Sequence, residues 1–120
     1  MGQELRGRPQ LRLEDLGKLP DEKLGQVMPM VRPDYEVRIE DGAEVTARQR
    51  ESGAVIRLFP LDSYKTAIFN MFDGMTPLAE IGRRLAASPD LEEDAAFSRA
   101  KRLFIALVDK GVCVPSNPVW

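Results

Sequence analysis

Between residues 35 and 59, apolar and polar side chains alternate with a period of two, which is the pattern of half-buried strands. The apolar positions of the first two runs are Tyr35, Val37, Ile39, Val45 and Ala47. A third run spans residues 54–59 and stops at Pro60. In this run Ile56 and Leu58 are expected to face inward and Arg57 outward. The pattern therefore predicts three consecutive strands.

The turn between the first two strands contains Asp41-Gly42. A two-residue turn would place Val37 opposite Thr46, an apolar residue against a polar one. A three-residue loop of residues 40–42 instead pairs Val37 with Val45 and puts the glycine at a left-handed position. We predict the three-residue loop because it keeps one face of the sheet apolar.

Residues 61–111 carry apolar side chains at spacings of three and four, which predicts three helices. Asp62 or Ser63 is expected to cap the first helix, and Gly74 to end it. The second helix is expected from Thr76-Pro77 to Ser88-Pro89, and the third from about Asp90 to Gly111. The order of elements predicts an α+β fold, a three-stranded antiparallel sheet followed by three helices, with the shape of a winged helix-turn-helix.

The N-terminal third of the chain has no comparable periodicity, because glycine and proline interrupt it repeatedly. We predict an arm over residues 1–34, partly flexible, with a short helix near 20–28 and a strap lying on the domain surface. The domain is assigned to residues 35–115 and a tail to 116–120. No apolar run approaches the ~18–20 residues of a membrane span, so no membrane contact is expected.

The composition excludes several classes of binding and catalytic site. The chain has 120 residues and a net charge of −2, which fits one domain and lacks the basic excess of a nucleic-acid binder. It has no histidine and one cysteine, which removes most metal sites and every histidine-based acid or base. Cys113 lies between two valines and is expected to be a buried apolar residue. We therefore predict no catalytic residue, no metal and no cofactor, and a cytoplasmic location for the free thiol.

Two features favour peptide binding. The third strand follows two others and is expected to form a sheet edge, whose unpaired main-chain groups can accept another strand. On the third helix, Asp94, Ser98, Lys101 and Ile105 form a second stripe beside the core-facing one. Ile105 is apolar but lies off the core face, so it packs on the arm, packs on a second copy of the chain or contacts a ligand.

Four segments carry a resemblance to a known family. They are Gly53–Leu58, Phe69–Gly74, Met75–Ile81 and Leu107–Val112. These segments follow three predicted strands in this order. In that respect residues 35–115 resemble the PqqD-like family, the peptide chaperones of pyrroloquinoline quinone biosynthesis, and the related RiPP recognition elements. One departure is the connection through Phe59-Pro60-Leu61, which is longer than the family pattern.

The resemblance implies a non-catalytic role. Family members bind the leader of a ribosomal precursor peptide as an added strand, between the third strand and the third helix. They present it to a modifying enzyme, such as a radical S-adenosylmethionine protein. Carried over to this sequence, the peptide-binding residues would be Val55, Arg57, Leu58, Lys101, Arg102 and Ile105. The basic residues among them imply a leader that contains Asp or Glu.

Two other interpretations stay open from the sequence. One is a winged-helix regulator that binds DNA, although the charges of the third helix sum to zero and oppose phosphate binding. The other is a scaffold subunit that dimerises. An open edge strand and a proline-rich arm also suit a swapped homodimer.

Overall fold

The computed structural model describes residues 13–87 and 91–116. Its strands are β1 (Pro29–Val31), β2 (Tyr35–Glu40), β3 (Glu44–Gln49), β4 (Val55–Pro60) and β5 (Cys113–Pro115). Its helices are a 3-10 helix (Leu13–Lys18), α1 (Asp21–Leu24), α2 (Ser63–Phe69), α3 (Leu78–Leu85) and α4 (Glu93–Asp109). Strands β2, β3 and β4 form an antiparallel sheet in that order, and α2 to α4 follow it, so the predicted α+β architecture is confirmed.

The β2–β3 hairpin has a three-residue loop, but its register differs from the predicted one. Val37 pairs with Ala47 and Ile39 with Val45, so the predicted pairing of Val37 with Val45 is wrong. The loop lies one residue later, because Asp41 as well as Gly42 adopts a left-handed conformation, with φ of 55° and 67°. Two left-handed residues in succession match the twist of the strands. The apolar face survives because the register moves by two residues.

Aromatic side chains join the sheet to the helices through a continuous row of edge-to-face contacts. The ring centroids of Phe59 and Phe69 lie 5.6 Å apart, those of Phe69 and Phe72 5.9 Å, and those of Phe72 and Phe104 5.8 Å. Each ring is buried. The row therefore links β4, α2 and α4 in one core.

Helices α3 and α4 approach each other closely at Gly82. A Cβ on this residue would lie 3.1 Å from Cα of Phe97, so only glycine fits without movement of α4. Glycine at this position therefore permits the close packing of the two helices. Within the part of the chain that the structure describes, no helix is long and apolar enough to cross a bilayer.

The N-terminal segment contributes to the core, in contrast to the predicted surface strap. Leu16, Leu24 and Val27 are each at most 1% exposed. The predicted helix near 20–28 is the single turn α1, and residues 1–12 of the predicted arm lie outside the described residues. Burial of three aliphatic side chains is typical of an integral part of a domain rather than an appendage.

A second, two-stranded sheet joins the N-terminal segment to the C-terminal end of the described chain. Strand β1 pairs antiparallel with β5, from Pro29 opposite Pro115 to Val31 opposite Cys113. The Ser116 N–H donates to the Met28 C=O at 2.9 Å, and residues 117–120 of the predicted tail lie outside the described residues. This pairing holds the N-terminal segment onto the domain.

The turn between α2 and α3 depends on an ionised Asp73. Its Oδ1 accepts from the N–H groups of Met75 at 2.9 Å and Thr76 at 3.0 Å, and its Oδ2 accepts from the Thr76 hydroxyl at 3.1 Å. The hydrogen bond from Met75, with those from Thr76, lowers the pKa of this carboxyl from its ordinary value of 3.8. Because the pKa of Asp73 is lower in the folded state than in the unfolded chain, its carboxylate stabilises the fold at pH values above the unfolded-state pKa.

We expect Asp73→Ala to lower the free energy of unfolding by about 0.5–2 kcal/mol at neutral pH, the usual effect of losing a side-chain cap. The difference from the wild type should shrink as the pH falls through the folded pKa, because the wild-type carboxyl then loses its charge. Urea unfolding at a series of pH values measures this difference. Glu51→Ala, in an exposed turn, is the control. A difference that is independent of pH would contradict the role of the charge.

Candidate functional site

The outer edge of β4 presents main-chain groups with no strand beside them. The Gln49 N–H donates to the Ala54 C=O at 2.8 Å, so residue 54 faces β3. Because main-chain direction alternates along an antiparallel strand, the N–H and C=O groups of Val55 and Arg57 face away from β3. Among the described residues the sheet ends at β4, so these groups form an open edge.

A β-bulge shapes this edge. Thr46 pairs with Arg57 and Val45 with Phe59, which leaves Leu58 without an opposite residue. The bulge turns the strand so that Leu58 and Phe59, although consecutive, are both buried. The expected inward direction of Leu58 and outward direction of Arg57 are confirmed.

A groove of about 680 Å³ lies between β4, α2 and α4, and β4 lines it at Leu58 and Phe59, directly after the open edge. Its lining residues come from all three elements: Leu58, Phe59, Tyr64, Lys65, Ile68, Ala95, Ser98, Arg99, Arg102, Leu103 and Ala106. The α4 residues among them follow the spacing of one helix face, and several are small, which keeps the groove open. An extended peptide beside β4 would therefore have both a main-chain partner and a side-chain pocket.

The groove combines an apolar floor with a basic rim. Lys65, Arg99 and Arg102 line it, and no carboxylate occurs among its described lining residues. The Arg99 guanidinium lies 5.0 Å from the centroid of the Tyr64 ring, so this pair joins α4 to α2 across the groove. The chain as a whole has a net charge of −2, so this concentration of positive charge is local and attracts acidic ligands.

Four of the six sequence-predicted site residues lie in the groove or on the open edge of β4. Leu58 and Arg102 line the groove. Val55 is 60% exposed on the edge strand. The Arg57 side chain is 82% exposed, and its Nε lies 3.4 Å from Oε1 of Glu44. These positions are compatible with a strand added beside β4. Some of its side chains would lie near Arg57, and others would enter the groove.

The other two predicted residues, Lys101 and Ile105, lie on a different flank of α4 and do not line the groove. The Lys101 Nζ lies 3.0 Å from Oδ1 of Asp21. A Cβ on Gly17 would lie 3.7 Å from Cδ1 of Ile105, so the 3-10 helix packs directly on this side chain. The open alternative for Ile105, packing on the arm, is the one the structure has. The N-terminal segment thus covers the flank of α4 that faces away from the groove.

Sequence reasoning missed most of the groove, including the rim residues Lys65 and Arg99. The sequence does contain a pattern for the α4 residues of the groove. They share one face at helical spacing: Ala95, Ser98, Arg99, Arg102 and Ala106. However, α4 has two flanks beside its buried face, and periodicity does not say which flank meets the sheet.

Cys113 is the one thiol of the chain that could act as a nucleophile or a metal ligand. Cys113 is buried as predicted, and burial raises the pKa of its thiol to about 12, so it stays protonated at neutral pH. Within residues 13–87 and 91–116 no group of three acidic or cysteine side chains could hold a metal ion. The arrangement at the groove is suited to binding through main-chain and side-chain contacts.

No protein-family model and no curated protein matches this chain. A search of solved structures finds a similar fold in "Lasso peptide synthetase B1 complexed with the leader peptide". The two chains have a TM-score of 0.58 and 18% sequence identity, over 73% of this chain and 99% of that chain. At this identity the likeness shows a shared fold.

Proposed function

We propose that this chain binds the leader of a ribosomal precursor peptide as an added strand on β4 and presents it to a modifying enzyme. The observation that carries the proposal is the open main-chain edge at Val55 and Arg57, followed along β4 by a groove with an apolar floor and a basic rim. Two further points support it: the resemblance of residues 35–115 to PqqD-like proteins, and the similar fold of a protein solved with a leader peptide.

The groove defines the class of peptide that fits. Main-chain hydrogen bonds contribute about 1 kcal/mol each, whereas micromolar binding needs about 8 kcal/mol. Apolar anchors must supply much of the rest, at about 1.5–3 kcal/mol for each buried side chain. Leu58, Ile68 and Leu103 offer the surface for such anchors. The ligand is therefore an extended peptide with apolar residues flanked by Asp or Glu.

The reaction itself belongs to the partner in this proposal. The chain contains no histidine, and its one thiol is held protonated by burial. A partner such as a radical S-adenosylmethionine enzyme would make and break the bonds, in the cytoplasm, on a peptide that this chain positions.

The proposal is tested with fluorescein-labelled peptides that cover, in overlapping windows, every short open reading frame beside the gene. We expect one window to bind with micromolar or tighter affinity by fluorescence anisotropy. Binding of no window would contradict the proposal. So would a stronger interaction with duplex DNA that weakens steeply as salt is added, which is the behaviour of a DNA-binding regulator.

Charge reversal at the groove should weaken this binding. We expect Arg57→Glu and Arg102→Glu each to raise the dissociation constant about threefold to tenfold, because each replaces an attraction to the acidic peptide by a repulsion. Lys23→Glu, an exposed reversal on α1, is the matched control and should have no effect. Equal dissociation constants for all variants would show that neither Arg57 nor the basic rim is part of the site.

A further inference from the structure

The opposite edge of the same sheet, β2, also has no strand beside it among the described residues, although the Tyr35 N–H at its start donates to the Arg32 C=O at 3.1 Å. It carries apolar side chains that the core does not cover: Val37 is 39% exposed and Ile39 56% exposed. Both lie on the face of the sheet where Val45 and Ala47 are buried. An open edge with an exposed apolar strip is a feature that proteins normally cover or block.

We propose that β2 pairs with β2 of a second copy of this chain, which joins two sheets into one continuous sheet. The strand is self-complementary in the centre of its sequence, Tyr35-Glu-Val-Arg-Ile39. If Val37 faces Val37 of the second copy, Glu36 lies opposite Arg38 on both sides of the two-fold axis, and Tyr35 lies opposite Ile39.

The hydrogen-bonding direction of β2 selects this register. The Arg50 N–H donates to the Asp34 C=O at 2.9 Å, so the even-numbered residues face β3. Val37 and Ile39 therefore direct their N–H and C=O groups outward. In an antiparallel pair, outward groups must meet outward groups, so odd-numbered residues face odd-numbered residues.

The neighbouring registers that satisfy this condition bring like charges together. One places Glu36 opposite Glu36 of the second copy, and the other places Arg38 opposite Arg38. Like charges directly opposite each other destabilise a pair of strands, and opposite charges stabilise it. The symmetric pairing at Val37 is thus favoured by both charge and apolar contact.

Other side chains at this edge are compatible with the pairing. Arg38 Nη2 lies 3.4 Å from Oε1 of Glu36 in the same chain, which holds both charged groups at the edge. At the ends of the paired strands, Asp34 would face Glu40 of the second copy. There, Nε of Arg32 lies 3.2 Å from Oδ1 of Asp34 and offsets the acidic charge.

The proposed dimer leaves β4 free, because β4 is the other edge of the sheet. Each dimer would present its two grooves at opposite ends of the joined sheet. The inference does not depend on what the groove binds.

Sedimentation velocity of the full chain over a range of concentrations tests the dimer. We expect the wild type to form a dimer whose dissociation constant rises about tenfold or more in Glu36→Arg and in Arg38→Glu, since each change acts twice across the axis. Glu51→Arg, in the turn between β3 and β4, is the control and should dimerise like the wild type.

Mixing the variants makes the test specific for the register. Glu36→Arg has a basic edge and Arg38→Glu an acidic one, so an equal mixture should form a heterodimer although neither variant dimerises well alone. The double variant E36R/R38E should regain self-association. A wild type that stays monomeric at every concentration would overturn the proposal, as would variants that dimerise unchanged or a mixture that fails to associate.

Discussion

Replacing Arg57 by proline should raise the dissociation constant for the leader peptide about fivefold to thirtyfold while the protein stays folded. Proline removes the outward N–H of the β4 edge and places its ring where the added strand would lie. One hydrogen bond and the lost contact of the strands account for about 1–2 kcal/mol, and 1.4 kcal/mol is a factor of ten. The β3–β4 ladder should survive because this N–H does not face β3.

The matched control is Val37→Pro, which makes the same change at an outward position of β2. Val37→Pro should leave peptide affinity unchanged and abolish self-association. Arg57→Pro should weaken peptide binding and leave self-association unchanged. Fluorescence anisotropy and sedimentation velocity on both variants, with circular dichroism to verify folding, give the four measurements. If a folded Arg57→Pro variant binds the peptide like the wild type, the β4 edge is not the binding site.

Leu24→Ala should lower the free energy of unfolding by about 2–5 kcal/mol, the range for truncating a buried leucine. Leu24 lies in α1 and is fully buried, and α1 packs near the contact of α3 with α4, where a Cβ on Gly25 would lie 3.2 Å from Cβ of Ala79. The variant should therefore leave a cavity between the N-terminal segment and the helices. Urea unfolding measures the effect.

Leu61→Ala provides the control for this change, because its side chain is 42% exposed and should matter much less. If Leu24→Ala lowers the free energy of unfolding as little as Leu61→Ala does, the N-terminal segment lies on the surface as a strap. The comparison bears on function as well, since the N-terminal segment packs on α4 from the flank opposite the groove.

The candidate site was predictable in part. The edge position of β4 and the outward direction of Arg57 follow from strand order and alternation, which are local properties. Leu58 and Arg102 were also placed at the cleft, and both line it. Lys101 and Ile105 were placed there as well, yet the N-terminal segment covers them. A helix presents several stripes at equal spacing, and the partner of each stripe depends on how the helix crosses its neighbours.

The elements of the sheet and the helices α2 to α4 could be read from the chain because periodicity and turn residues act over a few positions. Asp62 illustrates this, since its Oδ2 accepts from the Lys65 N–H at 3.0 Å, as a capping residue should. The absence of histidine likewise excludes histidine-based acids and bases from the sequence alone.

Three features arose only from long-range packing. They are the hairpin register, the burial of Leu16, Leu24 and Val27, and the choice of the α4 flank that faces β4. Leu24 and Val27 share one face of the predicted short helix, but the glycines and prolines around it leave too short a pattern to show what covers them. Their burial depends on surfaces far away in the chain, as in the pairing of β1 with β5. Contacts between distant segments leave little local trace because many partners satisfy the same apolar side chain equally well.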